Sequence, residues 1–257
     1  MVAIHSTGRG AATPADAAGR SLTQATFAAL NAPSVGETQP WRWRVDRDRI
    51  GLFADWDRQL ADVDPDGRLL LISCGAALHH ARVALAAEGV GVEVRRFPDP
   101  GDPALLTELR CTGPIERLPE AGALHRAIAV RRSDRRPFTT QPPSDRQLAP
   151  LMAAAEQAGA GSYTLTGSDV LGSSPAGAAY VVITTPGAAA GDWVTAGEAV
   201  SAVLLSATTA GLASSPVDDV TALTQGVHRA PHAAAAVRVG VAGRVGAPWR
   251  PEPEESP

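Results

Sequence analysis

Two stretches of the chain carry side chains suited to chemistry. One is Arg131-Arg132-Ser133-Asp134-Arg135-Arg136-Pro137-Phe138. Guanidinium forks match the oxygens of a phosphate, and a serine hydroxyl adds a short charge-assisted bond, so this run could grip a phosphate; a solvated basic turn is the plainer reading. The other runs from Asn31 to Val45 and holds Ser34, Thr38 and Gln39 between two regular elements. Such a loop can offer several hydrogen bonds to a planar polar ligand, where the plainer reading is a helix-to-strand connection. His79-His80 and His228-x-x-x-His232 raise the question of a metal. Pro231 breaks the second pair, and no carboxylate or cysteine completes a ligand set, so surface or capping histidines are expected. No Gly-x-Ser-x-Gly, Walker loop or dinucleotide glycine motif is present, which argues against a hydrolase or a Rossmann enzyme.

The elements that must position these groups follow from periodicity and punctuation. An apolar helical pattern from Thr13 or Pro14 stops at Leu30, where Asn31 tolerates a left-handed helix end and Pro33 forbids continuation. Beyond Pro40 the period becomes two, with Trp41, Trp43 and Val45 on one face and Arg42 and Arg44 on the other. Asp46-Arg47-Asp48 turns this strand into a second, Ile50 to Ala54. Leu69 to Gly89 is apolar on nearly every side, the pattern of a helix buried within a fold. Strands follow over Val90–Phe97 and Leu106–Thr112, then a short helix over Glu120–Val130. Ser144 with Gln147 forms a capping box for a helix to about Ala158, with a kink possible at Pro150. Tyr163–Thr166, Tyr180–Thr185 and Val237–Val241 are expected strands, and Trp193–Gly211 is a second long apolar helix. Residues 1–12 are expected to form a loose arm, and residues 251–257 a disordered tail.

The long helices share a rhythm. Gly75 and Gly89 lie as far apart as Gly197 and Gly211, and an offset of 122 residues aligns both pairs. The same offset carries the Trp41–Val45 strand onto Tyr163–Gly167 and the Ala25–Leu30 helix onto Gln147–Met152. Two related halves are therefore expected, at 1–125 and 126–250.

With 257 residues, 44% apolar and 19% charged, the chain has an ordinary globular composition. A net charge of −4 gives no reason to expect nucleic-acid binding. Every fixed side-chain cation is arginine, since the chain has no lysine. Cys74 and Cys111 are too few for a disulfide framework. No signal-peptide pattern begins the chain and no apolar run approaches the roughly 20 residues of a membrane span, so a cytoplasmic location without membrane contact is expected.

Ala32-Pro33-Ser34 and Thr38-Gln39-Pro40-Trp41 resemble the Ala-Pro-Ser-x-x-Asn-x-Gln-Pro-Trp signature of flavin-dependent nitroreductases, closest to the Acg branch, in which two nitroreductase halves are fused. The Asn of that signature is Glu37 here, and an ionised carboxylate accepts hydrogen bonds but cannot donate one to a flavin carbonyl. Arg131, Arg132, Ser133 and Arg135 resemble the family's phosphate-gripping Arg-Arg-Ser-x-Arg. The resemblance implies an α+β nitroreductase-like fold of two fused half-repeats with antiparallel sheet and buried central helices. It implies FMN, with Pro33, Ser34, Thr38 and Gln39 at the bend, Ser215, Pro216 and Val217 along the ring, and Arg250 as a third cation. It further implies NAD(P)H as reductant, a nitroaromatic or quinone-like acceptor, and a pseudo-dimeric monomer or a homodimer. The link Gly167–Gly177 is shorter than in fused relatives, a loss that could open or remove the pocket. Acg-type relatives are suspected of sequestering flavin, and Glu37 fits a weakened site, so a flavin-sequestering protein is the rival expectation, and a pseudo-enzyme for another planar ligand or a protein partner is a third.

Overall fold

The computed structural model describes residues 14–139, 141–166, 177–217, 219–225 and 232–242. The expected arm and tail, His228, Arg250, and residues 167–176 of the short link lie outside the described residues. The chain is α+β. Helix α1 (Pro14–Ala29), strands β1 (Trp41–Asp46) and β2 (Arg49–Ala54), helix α2 (Arg68–Glu88), and strands β3 (Val90–Arg96) and β4 (Leu105–Pro114) come first. Helix α3 (Pro119–Val130) leads to helix α4 (Asp145–Gln157), strands β5 (Gly161–Thr166) and β6 (Ala179–Thr184), helix α5 (Ala190–Thr209), strand β7 (Ala213–Pro216), the short helix α6 (Val220–Thr224) and strand β8 (Ala233–Gly240). The strands form two antiparallel sheets, ordered β1-β2-β4-β3 and β5-β6-β8-β7.

Local chemistry accounts for these bounds. Trp41 and Trp43 are buried while Arg42 and Arg44 face out, as the alternation in β1 requires. The β1–β2 turn pairs Asp46 with Arg49 and puts Arg47 at φ 41°. α2 starts not on a capping side chain of its own but on the buried Asp64, whose two carboxylate oxygens accept the Leu69 and Leu70 N–H groups at 2.9 Å each. It ends at Gly89, in the left-handed conformation. Ser144 and Gln147 cap α4 as expected, the Ser144 N–H donating to Gln147 Oε1 at 3.1 Å, and the helix runs on through Pro150.

Three expectations are corrected. Asn31 is not left-handed: α1 runs out through a tight turn in which the Leu30, Asn31 and Ala32 N–H groups donate to Phe27, Ala28 and Ala29 carbonyls. Residues 213–216, over which no strand was expected, form β7, because β8 offers an open edge for them to pair with. And α2 is, by length and composition, apolar enough to cross a membrane. Its apolarity is instead consumed by the core, where Leu70, Leu71, Cys74, Leu78, Ala81 and Leu85 are all buried.

α2 and α5 pack directly on each other, and their crossing is made by glycine. A Cβ placed on Gly75 would lie 2.0 Å from the Val194 carbonyl oxygen, and one on Gly197 would lie 2.0 Å from the Ile72 carbonyl oxygen. Both obstacles are backbone, so neither can swing aside. The contact is reciprocal in packing too: Val194 of α5 joins the core under the first sheet, and Ile72 of α2 joins the core under the second.

Polar groups sit in the same crossing. The Ser201 hydroxyl lies 2.8 Å from His79 Nδ1 and 2.9 Å from His80 Nδ1, and His80 Nδ1 is also 3.1 Å from the Ala76 carbonyl. One assignment fits all three: His80 Nδ1–H donates to Ala76 O and Ser201 Oγ, and the Ser201 proton goes to His79. These histidines are thus core groups, not the surface groups expected. Burial pushes both down to about 3 from an ordinary value of 6.5, with the Arg82 charge adding to the effect on His79, and His79 and Arg131 to that on His80. Two arginines of the first half, Arg82 and Arg96, reach the buried Glu198 of α5.

Gly75→Ala and Gly197→Ala should each destabilise the fold by about 2 kcal/mol or more. Gly122→Ala, where a Cβ meets only Arg126 Nη1 at 3.5 Å within α3, should be stabilising by about 0.5–1 kcal/mol. Urea midpoints of the three variants separate these outcomes. The histidines give a pH dependence of definite sign. Their folded-state affinity for protons is depressed, so between pH 6.5 and about 3 the unfolded chain binds protons that the folded chain does not. Stability is therefore full above pH 6.5 and falls on acidification, by up to about 1.4 kcal/mol per pH unit for each histidine. Denaturant titrations at pH 7.5 and 5 should show that loss, and a His79→Gln/His80→Gln double variant should lose less of its own stability over the same interval.

Candidate functional site

A cleft of about 1120 Å³ opens where the α2–α5 core meets the bend after α1 and the segment after α3. The bend, from Leu30 to Glu37 with Gln39, forms one wall. One face of α2 (Arg68, Leu69, Ile72, Ser73, Ala76) forms the floor with Val200 of α5. Arg131, Arg132, Ser133 and Arg135 line a second wall, and Pro216, Val217, Ala235 and Ala236 of the second sheet, with Asp219, complete it.

The bend is held tightly. Three residues are left-handed, Gly36 at φ 53°, Glu37 at 56° and Gln39 at 46°, and only the first is glycine. The strain in the other two is held by specific bonds. Ser73 of α2 accepts the Val35 N–H at 3.1 Å and donates to Leu69 O at 2.7 Å. Ser34 Oγ accepts the Gln39 N–H at 3.0 Å, and Gln39 Nε2 donates to Leu30 O at 2.9 Å. Arg58 Nη1 donates to both Thr38 O and Gln39 O at 3.2 Å. Ser34 Oγ acts as an acceptor within the bend, and its proton is not used in that bond.

The arginine segment is tied to the second sheet. Ser133 pairs with Ser214 in a parallel bridge, the Asp134 N–H donates to Ser214 O at 2.9 Å, and Arg238 Nη2 donates to Asp134 O at 2.9 Å and Arg136 O at 3.0 Å. Arg131 reaches across to the bend, where Nη2 meets Asn31 O at 3.4 Å. Its Nε is buried and, among the described residues, has no partner. Burial, with Arg132 adding repulsion, holds Arg131 below its ordinary proton affinity. Asp134 does not compensate these cations. Its bond to Arg136 draws its carboxyl down to about 2, and that bidentate pair lies at 2.7 and 2.9 Å.

Nine of the residues singled out in the sequence thus line one cleft: Pro33, Ser34 and Gln39 from the bend, Arg131, Arg132, Ser133 and Arg135 from the second wall, and Pro216 and Val217 from the sheet. Three are not placed there. Thr38 turns its hydroxyl inward to Val35 O at 2.9 Å, Ser215 is buried in β7, and Arg250 lies outside the described residues. Val217 N–H, one of the groups the resemblance set along the ring, donates to Ala236 O at 2.9 Å within the sheet. Sequence reasoning missed Arg68, Ser73 and Asp219. A serine in the middle of an otherwise apolar helix was the available signal for Ser73; nothing local marked the other two.

The fold and this cleft define an α+β protein with an arginine-lined cavity beside paired core helices. No family model matches the chain. Similarity to named proteins is clear over about half of it. The chain is 44% identical over 133 residues to “Putative NAD(P)H nitroreductase Rv3131” of Mycobacterium tuberculosis, covering 51% of this chain and 38% of that one. It is 42% identical over 125 residues to “Putative NAD(P)H nitroreductase acg” of the same organism, covering 48% and 38%. A third relative, “Uncharacterized protein Rv3127”, is 38% identical over 123 residues. Over about half of its length the chain is thus similar to Acg-type relatives named as putative nitroreductases, and the match spans well under half the length of those relatives.

Ser73→Ala should leave the Val35 N–H without its acceptor and cost about 1–3 kcal/mol. Hydrogen exchange at the Val35 amide should speed up more than at amides of the α2 core; equal acceleration everywhere would mean that Ser73 acts on the fold as a whole and not on the bend.

Proposed function

We propose that the cleft binds FMN and that the chain is a nitroreductase-like oxidoreductase, drawing on NAD(P)H to reduce a nitroaromatic or quinone-like acceptor. The observation that carries this reading is a surplus of positive charge beside a hydrogen-bonding bend. Arg68, Arg131 and Arg132 have no carboxylate partner among the described residues. Arginines elsewhere do pair: Arg42 and Arg58 with Asp55, Arg110 with Asp48, and Arg136 with Asp134. The buried, unpartnered Arg131 Nε is a donor awaiting an acceptor. A phosphate would meet Arg131, Arg132 and Ser133, with Arg135 beside them, and the Ser34 hydroxyl would face the ring. When bound, the flavin supplies hydride chemistry; the protein's part is to hold the phosphate, orient the ring and shape the cavity.

We read the like order of elements and strands in the two sheets, together with the 122-residue offset, as two copies of one unit, at 1–125 and 126–250, making a pseudo-dimeric monomer. A second reading is favoured by Glu37, whose carboxylate lines the cleft, and by the sheet-bound Val217 N–H. Both weaken the ring end of the site, which suits a protein that stores flavin without turning it over.

The visible spectrum of the purified protein, before and after incubation with FMN, tests the core of this proposal. FMN should bind, and an Arg131→Ala/Arg132→Ala variant should lose at least tenfold in FMN affinity with little change for riboflavin, which lacks the phosphate. A colourless protein that takes up no FMN would refute the flavin reading. Given binding, anaerobic bleaching by NAD(P)H separates an oxidoreductase from a store, and Glu37→Asn should tighten FMN.

A further inference from the structure

Arg68 and the pair Arg131 and Arg132, which have no carboxylate partner among the described residues, belong to segments tied to different points of one strand. Arg68, the first residue of α2, donates from Nη1 to Ala234 O of β8 at 2.7 Å. The Arg131–Arg135 segment is anchored four residues further along the same strand, through Arg238. Four residues of strand span about 13 Å. The wall between is built of small side chains, Ala235 and Ala236, with Pro216 and Val217 beside them. On that spacing of their anchor points, we take one phosphate at Arg131 and Arg132 to leave Arg68 without a counter-ion.

Its surroundings differ from those of the other cations. Arg68 is half-buried. Leu69 follows it in the cleft, and Leu60 and Val63, from the bridge leading into α2, line the same cleft. Val63 is 65% exposed, an apolar side chain with room beside it. The N-terminus of α2 does not supply an anion site of its own, since Asp64 already accepts its Leu69 and Leu70 N–H groups. Arg68 therefore presents one guanidinium fork, with one Nη committed to the backbone, next to an apolar surface. A carboxylate on a flat ring matches that arrangement: the fork takes two oxygens side by side, and the leucines and valine take the ring. A phosphate dianion is better served by the several cations at the other end.

We propose that Arg68 forms a second anion subsite, and that it selects aromatic carboxylates as the cleft's second ligand. As a statement about the acceptor this rests on the flavin reading above; as a binding site it does not. The full-length chain, with and without FMN, is titrated with benzoate and with the neutral isostere benzamide by calorimetry. Trp56, whose ring would touch a Cβ on Gly67 next to Arg68, serves as a fluorescence reporter. Benzoate should bind at least tenfold more tightly than benzamide. Arg68→Met should abolish that preference, while Arg68→Lys, which keeps the charge but not the fork, should retain part of it. Thermal melts establish that both variants are folded. Arg131→Ala/Arg132→Ala should keep the benzoate preference. Equal binding of benzoate and benzamide, or a preference that survives in Arg68→Met or disappears in Arg131→Ala/Arg132→Ala, would overturn the assignment. Because one arm contains no FMN, failure of FMN uptake would sink the flavin reading while this arm still decides Arg68.

Discussion

The structure depends on a place where two helix backbones touch. At Gly75 and Gly197 the missing side chains let α2 and α5 come within contact of each other's peptide groups, with Ile72 O and Val194 O filling the space a Cβ would need. Each helix also belongs to its own sheet and core, so this crossing fixes how far apart the two sheets lie. The cleft inherits that spacing. Its floor is the part of α2 just before and after Gly75, namely Ile72, Ser73 and Ala76, with Val200 one turn beyond Gly197 on α5. Loosening the crossing would therefore move floor and walls together.

Close backbone contact fixes distance but not register, and apolar helices with small faces can slide. The polar groups at the crossing oppose that. Ser201 can meet both His79 and His80 only at one axial setting, and Glu198 can meet Arg82 and Arg96 only when α5 lies at the matching height. Burying these groups is costly, and a misplaced register would leave a carboxylate and two imidazoles unpartnered in the core. A third of each arginine side chain stays accessible, which eases the desolvation of the cations while Glu198 remains fully buried. Positioning explains this cluster better than net stability does.

Much of this was legible in the sequence because it is written in short-range patterns. The Trp41/Trp43 alternation, the Ser144–Gln147 cap and the glycine ends of α2 and α5 need no knowledge of the rest of the chain. The two runs of the cleft could be named for the same reason, as dense clusters of special residues. What was not legible came from long-range pairing. Residues 213–216 are a strand only because β8, nearly 20 residues on, offers them an edge. His80 is buried and His79 half-buried at the helix crossing, where a serine more than 120 residues away meets both. Arg68 belongs to the cleft because its partner carbonyl is on Ala234. None of these has a local signature, and Asp64 hid its role by capping a helix from beyond the usual cap position.

The same distinction bears on the cleft's electrostatics. Carboxylates near it are engaged one after another: Asp64 by the start of α2, Asp55 by Arg42 and Arg58, Asp134 by Arg136, and Asp219 by the Ala222 N–H at 2.9 Å. Each is committed to a backbone or guanidinium partner, so Arg68, Arg131 and Arg132 are left with carbonyls and a hydroxyl. Carbonyl oxygens satisfy the N–H groups of a guanidinium but do not neutralise it. Where water is partly excluded, that residual charge raises the gain from an incoming anion, because the arginines are already oriented and pay little to reorganise. Glu37 is the one carboxylate on the cavity wall for which the described residues provide no partner, and it stands on the bend, which forms the other wall. Attraction at the arginine wall and repulsion at the bend together orient any ligand that is anionic at one end only, before a single hydrogen bond to it has formed.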